Sequence, residues 1–185
     1  MPPAGRTSFG WRISRNVWTL AGFVYVSFCT GVFSRMILGW TVSGSKSTRL
    51  VSTVVQQALA ARFRANTCFT ATGIVHHSDA GSQYTSLAFT AELREAGILG
   101  SIGTVGDALD NALMESTIGL YKTELINRYP GTYSGRAEVE NETAKYVAWF
   151  NEKRLHSSIG NLPPVEYEQA YQEAHKTATT NPVAA

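Results

Sequence analysis

The sequence predicts one mixed α/β domain, with helices packed on a sheet. Residues 23–28 and 35–42 are rich in β-branched and aromatic side chains, and the Thr30-Gly31 break between them predicts an antiparallel pair of strands. After these strands, short apolar runs alternate with segments of helical periodicity. A chain of 185 residues, 44% of them hydrophobic, is long enough to bury one core of this kind.

The middle of the chain continues with alternating helices and strands. Apolar residues between positions 51 and 59 recur at helical spacing and predict a helix over 47–63. We expect a short buried strand over 73–77 that ends at Ser78-Asp79, and another strand over 98–102. A helix that begins near Ser86 is expected to connect them.

The last third of the chain is predicted to be mainly helical. Asp110 or Asn111 can cap a helix. Its core side consists of residues spaced by four, three and four positions, namely Met114, Ile118, Tyr121 and Leu125. Another helix is expected over 138–150, and a final one follows Pro163-Pro164 and ends near Tyr171. We expect residues 173–185 to form a disordered tail.

The charge distribution is uneven along the chain. All 14 acidic residues lie at or after Asp79, whereas lysine and arginine occur throughout. The basic first part would suit phosphate, but the same charge density is more often an ordinary solvated surface. Two cysteines, Cys29 and Cys68, are predicted to be buried reduced thiols. No apolar run is long enough to cross a bilayer, so we expect a soluble, cytoplasmic protein.

Two carboxylates lie in local sequences that suit metal-dependent chemistry on DNA. Asp79 follows a predicted buried strand, where a side chain is held rigidly at the edge of a sheet. Glu115 lies on a predicted helix, with 35 residues between the two. Taken alone, Asp79 is more simply a turn residue and Glu115 an ordinary surface charge. Metal ions that assist phosphodiester chemistry are normally held by three or more carboxylates, and this pattern offers two.

A basic residue accompanies the second carboxylate. Lys122 follows Glu115 by seven residues, so on a helix the two side chains differ by only about 20° around the axis. Gly119 lies between them and leaves that face clear. The pair would therefore place a metal and a phosphate side by side, although surface charge is again the simpler interpretation of the pair alone.

Several separated segments together resemble the IS3 family of insertion-sequence transposases, which belongs to the retroviral integrase superfamily. The matching segments include Gly-Asp-Ala-Leu-Asp-Asn-Ala-Leu-Met-Glu at 106–115, Gly-Leu-Tyr-Lys-Thr-Glu-Leu-Ile at 119–126 and Trp-Phe-Asn-Glu-Lys-Arg-Leu-His at 149–156, together with residues 33–40 and 76–86. The resemblance covers residues from about 17 to 171. The spacing from Asp79 to Glu115 is that of the family, as is a basic residue seven positions later.

The resemblance implies an RNase H-like catalytic core over 17–172, with a mixed sheet, antiparallel first strands and flanking helices. It implies Mg²⁺- or Mn²⁺-dependent DNA cleavage and strand transfer by a homo-oligomer that binds transposon ends and target DNA. Asp79 and Glu115 would be the second and third catalytic residues and metal ligands, and Lys122 would contact DNA near the scissile phosphate. Arg154 and His156 would contact or shape the DNA surface, although a structural loop explains both almost as well.

The first catalytic aspartate of the family is missing. In the family it lies nine residues before the glycine of a Gly-Phe pair, and counting back from Gly22 gives Ile13, which cannot bind a metal. Gly31 also departs from the family, which usually has aspartate there. DNA encoding a typical family opening, read one base later, yields residues 6–14 in order. We therefore interpret residues 1–16 as an out-of-frame or irregular segment, with a degraded first strand that forms at most an edge strand.

These departures predict an inactive remnant of a transposase core. Loss of a group that only supports a metal ligand already lowers affinity or activity by about 10–100-fold, and loss of a ligand itself should lower it at least as much. The alternative is a non-catalytic fragment that binds DNA or a transposase and acts as an inhibitor. A nuclease with another substrate has little support, because the matching segments are specific to transposases.

Overall fold

The protein folds into a mixed β-sheet that is covered by α-helices. The computed structural model describes residues 8–13, 17–46, 48–65, 75–77, 99–101, 107–128 and 133–180. The strands are β1 (Ser8–Ile13), β2 (Val17–Thr19), β3 (Gly22–Gly31), β4 (Ile37–Ser43), β5 (Val75–His77) and β6 (Leu99–Ser101). The helices are α1 (Thr48–Ala65), α2 (Asp107–Tyr121), α3 (Arg136–Glu152) and α4 (Pro164–Thr180). A π-helical turn (Lys122–Ile126) continues α2, and a 3₁₀ turn (Ser157–Ile159) lies between α3 and α4.

Strand β3 organises the first part of the sheet. It pairs antiparallel with β4, where Val26 lies opposite Val42, and antiparallel with both β1 and β2. Strand β1 pairs in parallel with β5, which in turn pairs in parallel with β6. The predicted antiparallel pair over 23–28 and 35–42 is therefore confirmed, as are the mixed sheet and its flanking helices.

The sequence predicted β1 at an edge of the sheet. The strand lies instead between β3 and β5. Trp11 lies opposite Cys29 of β3, and Phe9 lies opposite His76 of β5. Pairing uses main-chain N–H and C=O groups, which every non-proline residue carries. Residues 8–13 contain no proline and include aromatic and β-branched side chains, so they can form a strand whatever their origin.

The main core lies between β3 and the helices α2 and α3. Tyr121 is fully buried, and its ring meets the rings of Phe28 and Tyr146 edge to face at 4.9 and 5.4 Å. Its hydroxyl group is 2.8 Å from the Thr143 hydroxyl, so the polar end of the ring is also satisfied. Burial raises the pKa of Tyr121 above its ordinary value. Of the predicted core side of α2, Ile118 and Tyr121 are buried and Leu125 is partly buried.

Three contacts fix the outer helices against the sheet. Helix α1 approaches β4 so closely that a Cβ on Gly39 would lie 2.3 Å from the Val54 carbonyl oxygen. The Asn151 side chain accepts from the Ile37 amide and donates to its carbonyl, both at 2.9 Å, and so ties α3 to β4. Arg62 of α1 and Glu168 of α4 form a buried ion pair at 2.6 Å.

Helix boundaries differ from the sequence prediction at two places. Helix α2 begins at Asp107, three residues before the predicted cap, and α4 continues to Thr180 through part of the predicted disordered tail. Glutamine, glutamate and alanine between 172 and 174 are good helix formers, which explains the extension. The helix predicted from Ser86 lies outside the described residues, as do Asp79 and Cys68. None of the helices described is both long and apolar enough to cross a bilayer.

Candidate active site

Two parallel strands and one helix converge on the region of the predicted site. His77 of β5 lies opposite Gly10 of β1, so the two strands run side by side in the same direction. Asp79 follows His77 by two residues in the sequence, and Ile13 is the last residue of β1. Helix α2, which carries Glu115, packs against both strands. The described backbone thus brings β1 and β5 together with the helix that carries Glu115.

Glu115 lies on the exposed face of α2. Its neighbours at Leu113, Thr117 and Ile118 are buried, so the opposite side of the helix carries the packing. A Cβ on Gly119 would meet no atom within 4 Å, which confirms the open face predicted between Glu115 and Lys122. The helix is regular through Tyr121, so the seven-residue spacing keeps Glu115 and Lys122 on similar sides of α2.

The helix changes its geometry at Lys122. The Asn127 amide donates to the Lys122 carbonyl at 2.7 Å, an i→i+5 bond that defines the π-helical turn. Such turns are rare and occur frequently at functional sites. The turn presents Glu124 to α3 and to the residues that follow α3. Within α3, the Tyr146 hydroxyl donates to the Glu124 carboxylate at 3.0 Å.

Arg154 is held inside the protein by Glu124. Its Nε and Nη2 donate to the carboxylate at 2.8–3.1 Å, and its side chain is only 18% exposed. A two-pronged contact of this kind fixes both position and orientation. The geometry agrees with the structural-loop alternative for Arg154, and a role in contacting DNA remains an untested prediction. Nothing in the local sequence marks Glu124 as the partner of Arg154, because the two residues are 30 positions apart.

His156 is packed rather than presented at the surface. It is 8% exposed, its ring lies edge to face on Phe150 at 4.6 Å, and its Nδ1 lies 3.3 Å from Arg154 Nη1. Burial, followed by the neighbouring Arg154, lowers the pKa of His156 to about 4, so the ring is neutral at pH 7. Direct contact with DNA would require this side chain to leave its packing, so the structural-loop alternative fits His156 as well.

The residues that the structure describes do not by themselves form a metal site. Within the described part of the chain, no group of three or more histidine, cysteine, aspartate or glutamate side chains is placed to hold a metal ion. Glu115 supplies one carboxylate and Asp79 lies outside the described residues. Ile13, at the position where the resemblance places the first aspartate, has no side-chain oxygen and cannot act as a ligand of a hard divalent cation.

Comparison with known proteins gives consistent matches along the chain. Two family models, both described as integrase core domain, match residues 9–108 and 96–164. The chain is 48% identical over 155 residues to the transposase for insertion sequence element IS629 of Shigella sonnei, covering 84% of this chain and 49% of that protein. It is 46% identical over 156 residues to a Mycobacterium tuberculosis (strain CDC 1551 / Oshkosh) protein named for the insertion sequence element IS986/IS6110, covering 84% and 55%. The chain therefore spans about half the length of these relatives.

Two solved structures share the fold at low sequence identity. One is a chain of the simian T-cell lymphotropic virus intasome in complex with PP2A regulatory subunit B56 gamma, with a TM-score of 0.64, 12% identity, and coverage of 88% of this chain and 54% of that chain. The other is the catalytic core domain of BIV integrase, with a TM-score of 0.56, 15% identity, and coverage of 92% and 99%. Both confirm the predicted RNase H-like fold.

Proposed function

Because this chain belongs to the integrase core domain family, among the transposases of insertion sequences, we propose that it is a transposase catalytic core that acts on transposon ends and target DNA. The reaction would be DNA cleavage and strand transfer. The observation that carries the proposal is the family match over 9–108, combined with an exposed Glu115 on a helix packed against β1 and β5. The relatives named above are insertion-sequence proteins, so we do not favour the alternative of a non-catalytic inhibitor.

Each predicted site residue receives a role in this proposal. Asp79 and Glu115 would be the carboxylates that hold divalent metal ions, for which Mg²⁺ or Mn²⁺ is expected from the family. Lys122, partly exposed beside the open face at Gly119, would contact a DNA phosphate. The family depends on divalent metal, which supplies charge neutralisation at the reacting phosphate. Arg154 and His156 would act by shaping the loop after α3 rather than by touching DNA.

We further propose that this chain is much less active than an intact family member. Position 13 ends a strand beside β5, where the family places its first aspartate, and here it carries isoleucine. Without that oxygen ligand the metal site is incomplete. We expect a loss of at least about 100-fold, the upper end of what loss of a group supporting a ligand produces.

The experiment measures nicking and joining of a labelled double-stranded oligonucleotide with Mg²⁺ or Mn²⁺. Wild type is expected to give little product, and Ile13→Asp is expected to raise the rate at least about 10-fold, because it supplies the missing ligand. Glu115→Gln in the Ile13→Asp background should abolish the gain. Glu152→Ala, which removes an exposed glutamate of α3, is the matched control and should leave the gain intact.

Two outcomes would contradict the proposal in different ways. Efficient nicking by wild type that Glu115→Gln abolishes would refute the reduced activity but support the transposase core. No nicking by either protein, together with no DNA binding, would refute the transposase core itself.

We also propose that the protein assembles as a homo-oligomer on transposon ends and associates with the nucleoid. Sedimentation of the protein with and without DNA tests the assembly.

A further inference from the structure

A groove of about 670 Å³ separates the π-helical turn from α3. Thr123, Leu125 and Arg128 form one side, and Lys145 and Trp149 form the other. Its volume lies within the range of about 300–1,000 Å³ that is typical of small-ligand sites. The turn that forms one wall begins at Lys122, the residue proposed above to contact a DNA phosphate.

Trp149 gives the groove an exposed aromatic surface. The side chain is 44% exposed, although most large apolar residues of the fold are buried. Its ring centroid lies 5.7 Å from that of Tyr146, which supports it from the side of the core. Tyr146 is held in turn by its bond to Glu124, so the aromatic wall is fixed in place. A supported and exposed indole ring is a surface on which a nucleobase can stack, and every base has a suitable face.

The charges of the groove favour an anionic ligand. Glu124 is neutralised by Arg154, and Glu142 is 2.6 Å from Lys145, so both carboxylates at the groove are already paired with cations. Arg128 is exposed and forms no ion pair with the residues that the structure describes. The groove therefore carries one uncompensated positive charge, opposite in sign to a single phosphate.

We propose that this groove binds one unpaired nucleotide of a DNA strand, with the base stacked on Trp149 and the phosphate at Arg128. The proposal rests on the proposed function, since it names the part of the DNA that this side of the core receives. An unpaired base is required because a paired base keeps its faces covered by its neighbours in the duplex. A phosphate at Arg128 and one at Lys122 would place the strand along the π-helical turn.

The test measures the affinity of the protein for a fluorescein-labelled oligothymidylate and for a blunt duplex. Stacking of one base on an aromatic ring contributes about 1–3 kcal/mol, so Trp149→Ala should weaken single-strand binding by about 5–150-fold. Trp149→Phe should recover part of that loss. Arg128→Ala should weaken binding and reduce the slope of log K against log salt by about 0.7. Trp18→Ala and Arg136→Ala remove an exposed tryptophan and an exposed arginine outside the groove. These two control variants should change neither the single-strand affinity nor its salt dependence.

The outcomes separate the groove from the proposed function. If Lys122→Ala weakens duplex binding while Trp149→Ala and Arg128→Ala leave single-strand binding unchanged, the nucleotide groove is wrong and the transposase core stands. If Trp149→Ala instead changes the sedimentation of the free protein and not its DNA affinity, the groove is a protein interface and the nucleotide proposal is refuted. If the protein binds neither DNA, both proposals fail.

Discussion

Replacing Glu168 by alanine should destabilise the whole fold, because it leaves a buried arginine without its carboxylate. Arg62 and Glu168 are 7% and 6% exposed, and Arg62 Nη1 donates to both carboxylate oxygens at 2.6 and 2.7 Å. The Ser34 hydroxyl donates to the same carboxylate. Within the described residues Arg62 Nε has no hydrogen-bond partner, so the guanidinium depends strongly on Glu168.

Gly31 leaves room for the Arg62 guanidinium. A Cβ at Gly31 would lie 2.8 Å from Arg62 Nη2, so the guanidinium occupies the space where a side chain at position 31 would begin. The Glu168 carboxylate of α4 neutralises the positive charge of the buried Arg62 side chain of α1.

The expected size of the effect follows from this burial. Removing one partner of a buried ion pair costs about 3–5 kcal/mol, because the remaining charge stays buried and uncompensated. For a domain of this length, each kcal/mol lowers Tm by about 2–4 °C, so the loss should be about 6–20 °C. Urea denaturation followed by circular dichroism measures the free energy of unfolding directly.

Two control variants make the result interpretable. Glu166→Ala removes an exposed glutamate of the same helix and should change the free energy of unfolding by less than about 0.5 kcal/mol. The double variant Arg62→Met/Glu168→Leu removes both charges and should recover most of the loss. A loss below about 1 kcal/mol for Glu168→Ala, or a double variant less stable than the single one, would refute the reasoning.

Four further changes should alter stability in a defined direction. Gly39→Ala should lower the free energy of unfolding by about 1–3 kcal/mol, because its Cβ would clash with a carbonyl of α1. Gly119→Ala has open space and should stabilise α2 by up to about 1 kcal/mol. Urea denaturation measures both changes. Asn151→Ala should cost about 1–3 kcal/mol and speed hydrogen exchange at the Ile37 amide, which loses its acceptor. The folded-state pKa of His156 is about 4, below the unfolded value of about 6.5, so its contribution to stability is complete above pH 6.5 and is lost as the pH falls towards 4. Across that window the free energy of unfolding of wild type should fall by more than that of His156→Gln, as measured by urea denaturation at each pH.

Local patterns predicted most of the fold, because the elements concerned are specified by their own residues. The β-branched and aromatic side chains of β3 and β4 and the helical spacing in α1 place these elements within a few residues of their observed bounds, and the helix predicted over 138–150 lies within α3. The position of β1 in the sheet was missed, since a strand's neighbours depend on partners elsewhere in the chain. Helix α4 extends past its predicted end because no glycine or proline stops it before Thr180.

Within the site, the sequence predicted what lies on one helix and missed what joins distant segments. Glu115, Gly119 and Lys122 share α2 and its continuation, so their spacing alone gives their relation. The bond from Arg154 to Glu124 crosses 30 residues, and that from Arg62 to Glu168 crosses 106. Each of these charged residues also occurs in sequence contexts typical of solvent-exposed charges, so no local signal distinguishes the paired ones.

The fold and the proposed chemistry depend on different atoms of β1, so the strand can form whether or not it carries a metal ligand. The strand is held by main-chain hydrogen bonds to β3 and β5, whereas a metal requires a side-chain oxygen at one position. Isoleucine at position 13 offers no side-chain oxygen, yet β1 pairs with β3 and β5 and α2 packs against both β1 and β5. Ile13→Asp therefore adds a carboxylate to a backbone whose partners are already in place, and a gain in DNA nicking from this one substitution would measure the contribution of that ligand alone.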